Sequence, residues 1–214
     1  MSNAEKKSTF FGGAAILAAS AILVKVIGAI YRIPLGNILS DEVMADYNSA
    51  YNIYNFFLTI STAGLPVALS KTISEANALG RHNQVQRTFR VAFITFLILG
   101  LISFFCMTVL AAPMAQIVIS NPKAVYCVMA LAPSVLCVCI MSAFRGYFQG
   151  HFNMMPTGIS QVIEAFFKLV VGLALALFLV NVIQKPELGS VGAITGVSCG
   201  SVVALLYILY LFFR

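Results

Sequence analysis

The stretch GSVGAITGVSCGSVVALLYILYLFF, residues 189–213, decides the fold, because it carries no charged side chain from end to end. A helix needs about 20 apolar residues to cross the hydrocarbon core of a bilayer, and this run is long enough to do so. A membrane barrel would instead show ~10-residue segments alternating between apolar and polar, and no such alternation is present. Outward from this stretch, five more long apolar runs fall at about 10–33, 47–69, 89–112, 124–144 and 157–180. The expectation is an all-α integral membrane protein. Its six-helix bundle fills 10–214, after a short cytoplasmic segment at 1–9.

Composition agrees with this. The 214 residues are 60% hydrophobic and 9% charged, with mean hydropathy +0.95. Soluble domains run nearer 45–50% apolar and about 25% charged, so a water-facing globule is excluded. Disorder is excluded too, since disordered chains are poor in aromatics and 12% of this one is aromatic. Cys106, Cys127, Cys137, Cys139 and Cys199 all lie in apolar runs and form no CxxC pair. With two histidines, His82 and His151, the chain presents no metal-ligand set or disulfide scaffold. No metal site and no cofactor are expected.

Proline and glycine punctuate the runs. Pro34 and Gly36 are expected to close the first helix, Asn121-Pro122 to mark a turn, and Pro156 to open the fifth span. Pro66 and Pro133 are expected inside helices, which membrane spans tolerate when neighbours satisfy the freed carbonyls.

Charge sets the expected orientation. Lys6, Lys7, Lys71, Arg81, Arg87, Arg90, Arg145 and Arg214, eight of the 13 basic residues, fall on one side. Lys123 and Lys185, with Asp41, Glu42, Asp46 and Glu187, fall on the other. The positive-inside rule makes the first side cytoplasmic, together with both termini. The net charge of +6 is thereby accounted for by topology, and no nucleic-acid partner is implied. The N-terminal run has some marks of a signal peptide, with small residues at 18–21. Its apolar pattern continues past that point, so a retained first helix is expected.

Four charges remain inside the spans: Lys25, Arg32, Glu164 and Lys168. Intramembrane charges are costly and mark cavities or partners. Lys25 and Arg32, seven residues apart, share a helix face with Gly28 between them, and are candidates for binding an anionic head group. Glu164 and Lys168, at i and i+4, either line a cavity or neutralise each other. Asn48, Asn52, Asn55, Thr59 and Thr62 recur at spacings of 4, 3, 4 and 3, one polar face of the second helix. Either this stripe lines a wet cavity or it supplies interhelical hydrogen bonds, worth about 0.6 kcal/mol each. Gly192, Gly196 and Gly200 form a GxxxGxxxG ridge suited to close helix packing, within the chain or against a second copy. No P-loop, HExxH or other catalytic set is present. Transport is therefore expected rather than catalysis.

Four motifs taken together, GAIYRIPL (28–35), STAGLPVALSK (61–71), FRGYFQG (144–150) and NMMPTGISQVIE (153–164), resemble a known family. It is the polysaccharide-biosynthesis and stage V sporulation protein B branch of the multidrug/oligosaccharidyl-lipid/polysaccharide flippase superfamily, close to the lipid II flippases. The resemblance runs over about residues 7–180. It implies one lobe of a MATE-like flippase in the bacterial inner membrane. Such a flippase moves an undecaprenyl-pyrophosphate-linked glycan by alternating access, with a missing C-terminal lobe or a second copy as partner. Arg32 falls where the family's first-helix cavity arginine lies, whereas the second span has asparagines and no arginine. The alternatives are a cation-coupled multidrug antiporter of the same superfamily and a truncated, non-transporting scaffold.

Overall fold

The structure is a computed structural model that describes residues 3–116, 124–184 and 188–214. The expected turn at Asn121-Pro122 and the charges Lys123, Lys185 and Glu187 lie outside the described residues. The helices are α1 Asn3–Ile38, α2 Asp41–Thr62, α3 Leu65–Ala78, α4 His82–Val109 and the single turn α5 Ala111–Met114. They continue with α6 Val125–Gly150, α7 Met155–Leu177, which runs on into a wider π-type turn at Phe178–Val182, and α8 Gly189–Phe213. Six stretches are long and apolar enough to cross a membrane, α2 and α3 together making one of them. The chain is a multi-pass membrane protein with an all-helical fold.

Two proline expectations change. Pro34 does not end the first helix. It sits inside α1, which continues to Ile38, because the one carbonyl that loses its donor is tolerated in a membrane helix. Pro66, expected mid-helix, lies in the first turn of α3. The break falls at Gly64, whose φ of +70° is a left-handed conformation open to glycine and strained for other residues. Pro66 then restarts the helix where its missing N–H is harmless. Pro133 does lie inside α6, and Pro156 stands in the first turn of α7.

The bundle is organised around α6, 67% of whose most apolar stretch is buried, against 11% for α1 and 17% for α7. Val128, Leu131, Val135 and Cys139 of α6 join Ala50, Ile53 and Tyr54 of α2 and Ile194 and Val197 of α8 in the main core. A second cluster sets Leu69 and Ile73 of α3 against Val85 and Phe96 of α4. Serine pairs cross between helices inside this packing, Ser61 with Ser103 at 2.6 Å and Ser134 with Ser198 at 2.8 Å.

The glycine ridge of α8 packs within the chain, against α7. A Cβ added at Gly196 would land on the Cα of Gly172, and one at Gly200 would lie 2.6 Å from the carbonyl oxygen of Glu164. Lipid tails are as apolar as leucine, so close backbone approach of this kind, with hydrogen bonds between helices, gives such helices a reason to associate.

Candidate functional site

Two adjoining hollows of about 510 and 330 Å³ share Gly28, Tyr31, Tyr51 and Lys168, and so form one groove between α1, α2 and α7. Lys25 and Glu164 line the larger part, Arg32 and Asn48 the smaller, and Lys168 stands where the two meet. Seven residues of α1 separate Lys25 from Arg32, about 10 Å along the helix axis. Both are exposed. Arg32 donates from Nη2 to Asn48 Oδ1 at 3.3 Å, which ties the ends of α1 and α2 together across the groove.

Lys168 is held by aromatic rings. Its Nζ lies 4.6 Å from the centre of the Tyr51 ring and 5.3 Å from that of Tyr31, within the range where a ring face attracts a cation. It also donates to the Tyr51 hydroxyl at 3.2 Å. Tyr31 is fixed in turn, since its hydroxyl donates to the Ala193 carbonyl of α8 at 3.0 Å. Tyr51 stacks on Tyr47, with ring centres 5.9 Å apart.

Glu164 makes its ion pair on another helix rather than with Lys168. Glu164 pairs with Arg145 of α6, Nη2 to Oε2 at 3.1 Å, with side chains only 13% and 23% exposed. Arg145 Nε donates further to Ser160 Oγ at 3.0 Å. This corrects the place given to Arg145 as well. It is not a loop charge, because α6 carries it half-buried and continues to Gly150. The pairing follows from the α6–α7 turn, which brings the end of one helix alongside the start of the next.

The asparagine stripe divides. Asn48 enters the groove, while Asn52, Asn55 and Thr59 are exposed on the outer face of α2 beside it. The hydroxyls of Thr59 and Thr62 each donate at 2.7 Å to a carbonyl one turn back, those of Asn55 and Leu58. Sequence reasoning passed over Tyr31, Tyr51 and Arg145. A signal was present for the tyrosines: Tyr47, Tyr51 and Tyr54 repeat at spacings of 4 and 3, each one residue before an asparagine of the stripe or, for Tyr54, before Asn55 itself.

This arrangement shares its fold with somewhat less than half of each of two transporters of known structure. An outward-facing multidrug resistance MATE family transporter superposes with TM-score 0.75 at 18% identity, over 94% of this chain and 44% of that one. A MOP superfamily transporter from Pyrococcus furiosus superposes equally well, with TM-score 0.75 at 17% identity over the same shares. The chain belongs to the polysaccharide biosynthesis protein family, whose sequence profile matches residues 10–214. It is 31% identical over 210 residues to stage V sporulation protein B of Bacillus subtilis strain 168, covering 96% of this chain and 39% of the relative. It is 29% identical over 213 residues to the lipid II flippase MurJ of the same organism, covering 94% and 39%. The chain thus spans about two fifths of the length of the curated relatives it matches. The family expected from the four motifs is the family found.

Proposed function

We propose that the chain forms one half of a membrane flippase for a glycan carried on a polyprenyl pyrophosphate, a peptidoglycan precursor or a related oligosaccharide. The groove's charge balance carries this reading. Lys25, Arg32 and Lys168 bring three cations, and Glu164, the one carboxylate among the lining residues, is already held by Arg145. A pyrophosphate supplies the missing negative charge, in a low-dielectric setting where the attraction is many times stronger than in water. Asn48, Asn52 and Asn55 offer amides to a hydrated sugar beside the phosphate site, and the polyprenyl tail stays in lipid. The same excess of positive charge disfavours the cationic substrates of a multidrug antiporter.

In this reading the protein is a transporter and not an enzyme. Alternating access arises as two six-helix halves rock against each other, so a second half or second copy completes the cavity. The membrane is the bacterial inner membrane, with both termini and the loop around Arg81 cytoplasmic. Outward labelling of a single cysteine at Arg81 would reverse that orientation.

The test of function is Lys25→Gln and Arg32→Gln, assayed with both halves present. Each loses one charge-assisted contact, about 1.5–3 kcal/mol, and so weakens binding of a polyprenyl-pyrophosphate glycan roughly tenfold to a hundredfold. Normal binding and flipping by both variants, with unchanged membrane insertion, would remove the groove from the mechanism.

A further inference from the structure

A second groove, of about 770 Å³, lies away from the one above, between α3 and the first half of α4. Its lining is graded. Thr72, Gln84 and Arg87 line one end, and Leu65, Leu69 and Phe96 the other. The helix length places this gradient in the membrane. The 28 residues of α4 span about 42 Å against a hydrocarbon core of ~30 Å, and the helix carries no charge from Val91 onward. Its first turns therefore stand at the level of the lipid head groups, with Arg87 among them. Phe96, nine residues further on, lies about 13 Å deeper.

The groove also leads somewhere. Val91, which lines it, begins a stripe at helical spacing that continues through Thr95 to Ile98, Ile102, Phe105 and Val109. The four apolar members beyond Thr95 are 50–72% exposed. Beyond Thr95, whose hydroxyl is turned to the Val91 carbonyl, an apolar track thus runs along the outer face of α4. At the other end the local charge is positive. Lys71, Arg81 and Arg90 are close in sequence to the lining residues Thr72, Asn83 and Arg87, and the nearby acid Glu75 is matched by Lys71 at 3.9 Å. Among the described residues no carboxylate pairs with Arg87.

We infer that this groove binds an anionic glycerophospholipid of the surrounding bilayer, its phosphate on Arg87 and one acyl chain along the α4 stripe. Basic pockets between membrane helices recognise anionic head groups in this way. The site is separate from the groove between α1, α2 and α7 and does not depend on what that groove transports.

Native mass spectrometry of the chain in mild detergent tests this, with phosphatidylglycerol or phosphatidylcholine added. The wild type retains phosphatidylglycerol about tenfold better than phosphatidylcholine. Arg87→Gln brings the two to the same level, and Ala68→Phe, which fills the apolar part, lowers both. If Ala68→Phe gives no folded protein, Thr95→Trp fills the groove from the opposite wall. Lys25→Gln, in the other groove, leaves phosphatidylglycerol retention unchanged. Equal retention of the two lipids by the wild type, or wild-type retention by Arg87→Gln, overturns the proposal. So does an equal loss in Lys25→Gln, which would place the lipid in the other groove.

Discussion

The two sides of this bundle use glycine in opposite ways. On the α7–α8 side, Gly196 and Gly200 meet the backbone of α7 so closely that a single added carbon has no room. On the α1 side, a Cβ at Gly28 or Gly36 would meet nothing within 4 Å. The first side is held by backbone contact and pairs its carboxylate Glu164 with Arg145, whereas the second is open and carries Lys25 and Arg32 exposed. The glycines that recur at a spacing of four on one face of α8 mark packing. Gly28, alone between Lys25 and Arg32, marks room.

The change that breaks this contrast most strongly is Gly196→Leu, which forces α8 away from α7. We expect no monodisperse protein after extraction in mild detergent, and a sharp wild-type-like elution profile would show that the ridge is not needed. Next comes the buried ion pair. Arg145→Gln leaves the Glu164 carboxylate without its cation, and breaking such a pair costs about 3 kcal/mol, read as a fall in the thermal midpoint. The double variant Arg145→Gln/Glu164→Gln should recover most of that loss, and an additive double variant would deny the coupling.

A smaller effect is expected at Tyr51→Phe. It removes the hydroxyl that accepts from Lys168 and keeps the ring, a loss of about 1 kcal/mol visible as a modest drop in the same midpoint. The smallest belongs to Gly28→Ala. It fills empty space and replaces glycine within a helix, so stability should hold or rise by up to about 1 kcal/mol. A marked loss there would mean that the open side is packed after all.

Hydropathy is a one-dimensional property, and so the six membrane-length helices were legible from the runs themselves. The break at Gly64 was not, because apolar Leu65, Val67 and Leu69 carry the run past it and Pro66 reads as a tolerated proline within one span. Lys25, Arg32 and Lys168 stood out because charge is rare in such runs. Tyr31 and Tyr51 did not, since tyrosine is unremarkable among apolar residues until a cation is seen over its ring. The partner of Glu164 was hidden for a different reason. Arg145 lies on another helix, and its charge had already been explained by membrane orientation. The α8 ridge announced close packing, but only the folded chain shows that its partner is α7.

The pairing of Arg145 with Glu164 also bears on how the protein is made. Each charge that α7 brings into the bilayer meets a partner earlier in the chain. Glu164 meets Arg145, 19 residues before it, and Lys168 meets Tyr51, 117 residues before it. As the chain leaves the ribosome, α6 and α7 can enter the translocon as one hairpin whose opposite charges cancel, with the tyrosines of α2 already in the membrane to receive Lys168. The uncharged α8 follows α7 and docks on it through its glycines. A hairpin that carries both members of the pair avoids the cost of a lone carboxylate in lipid.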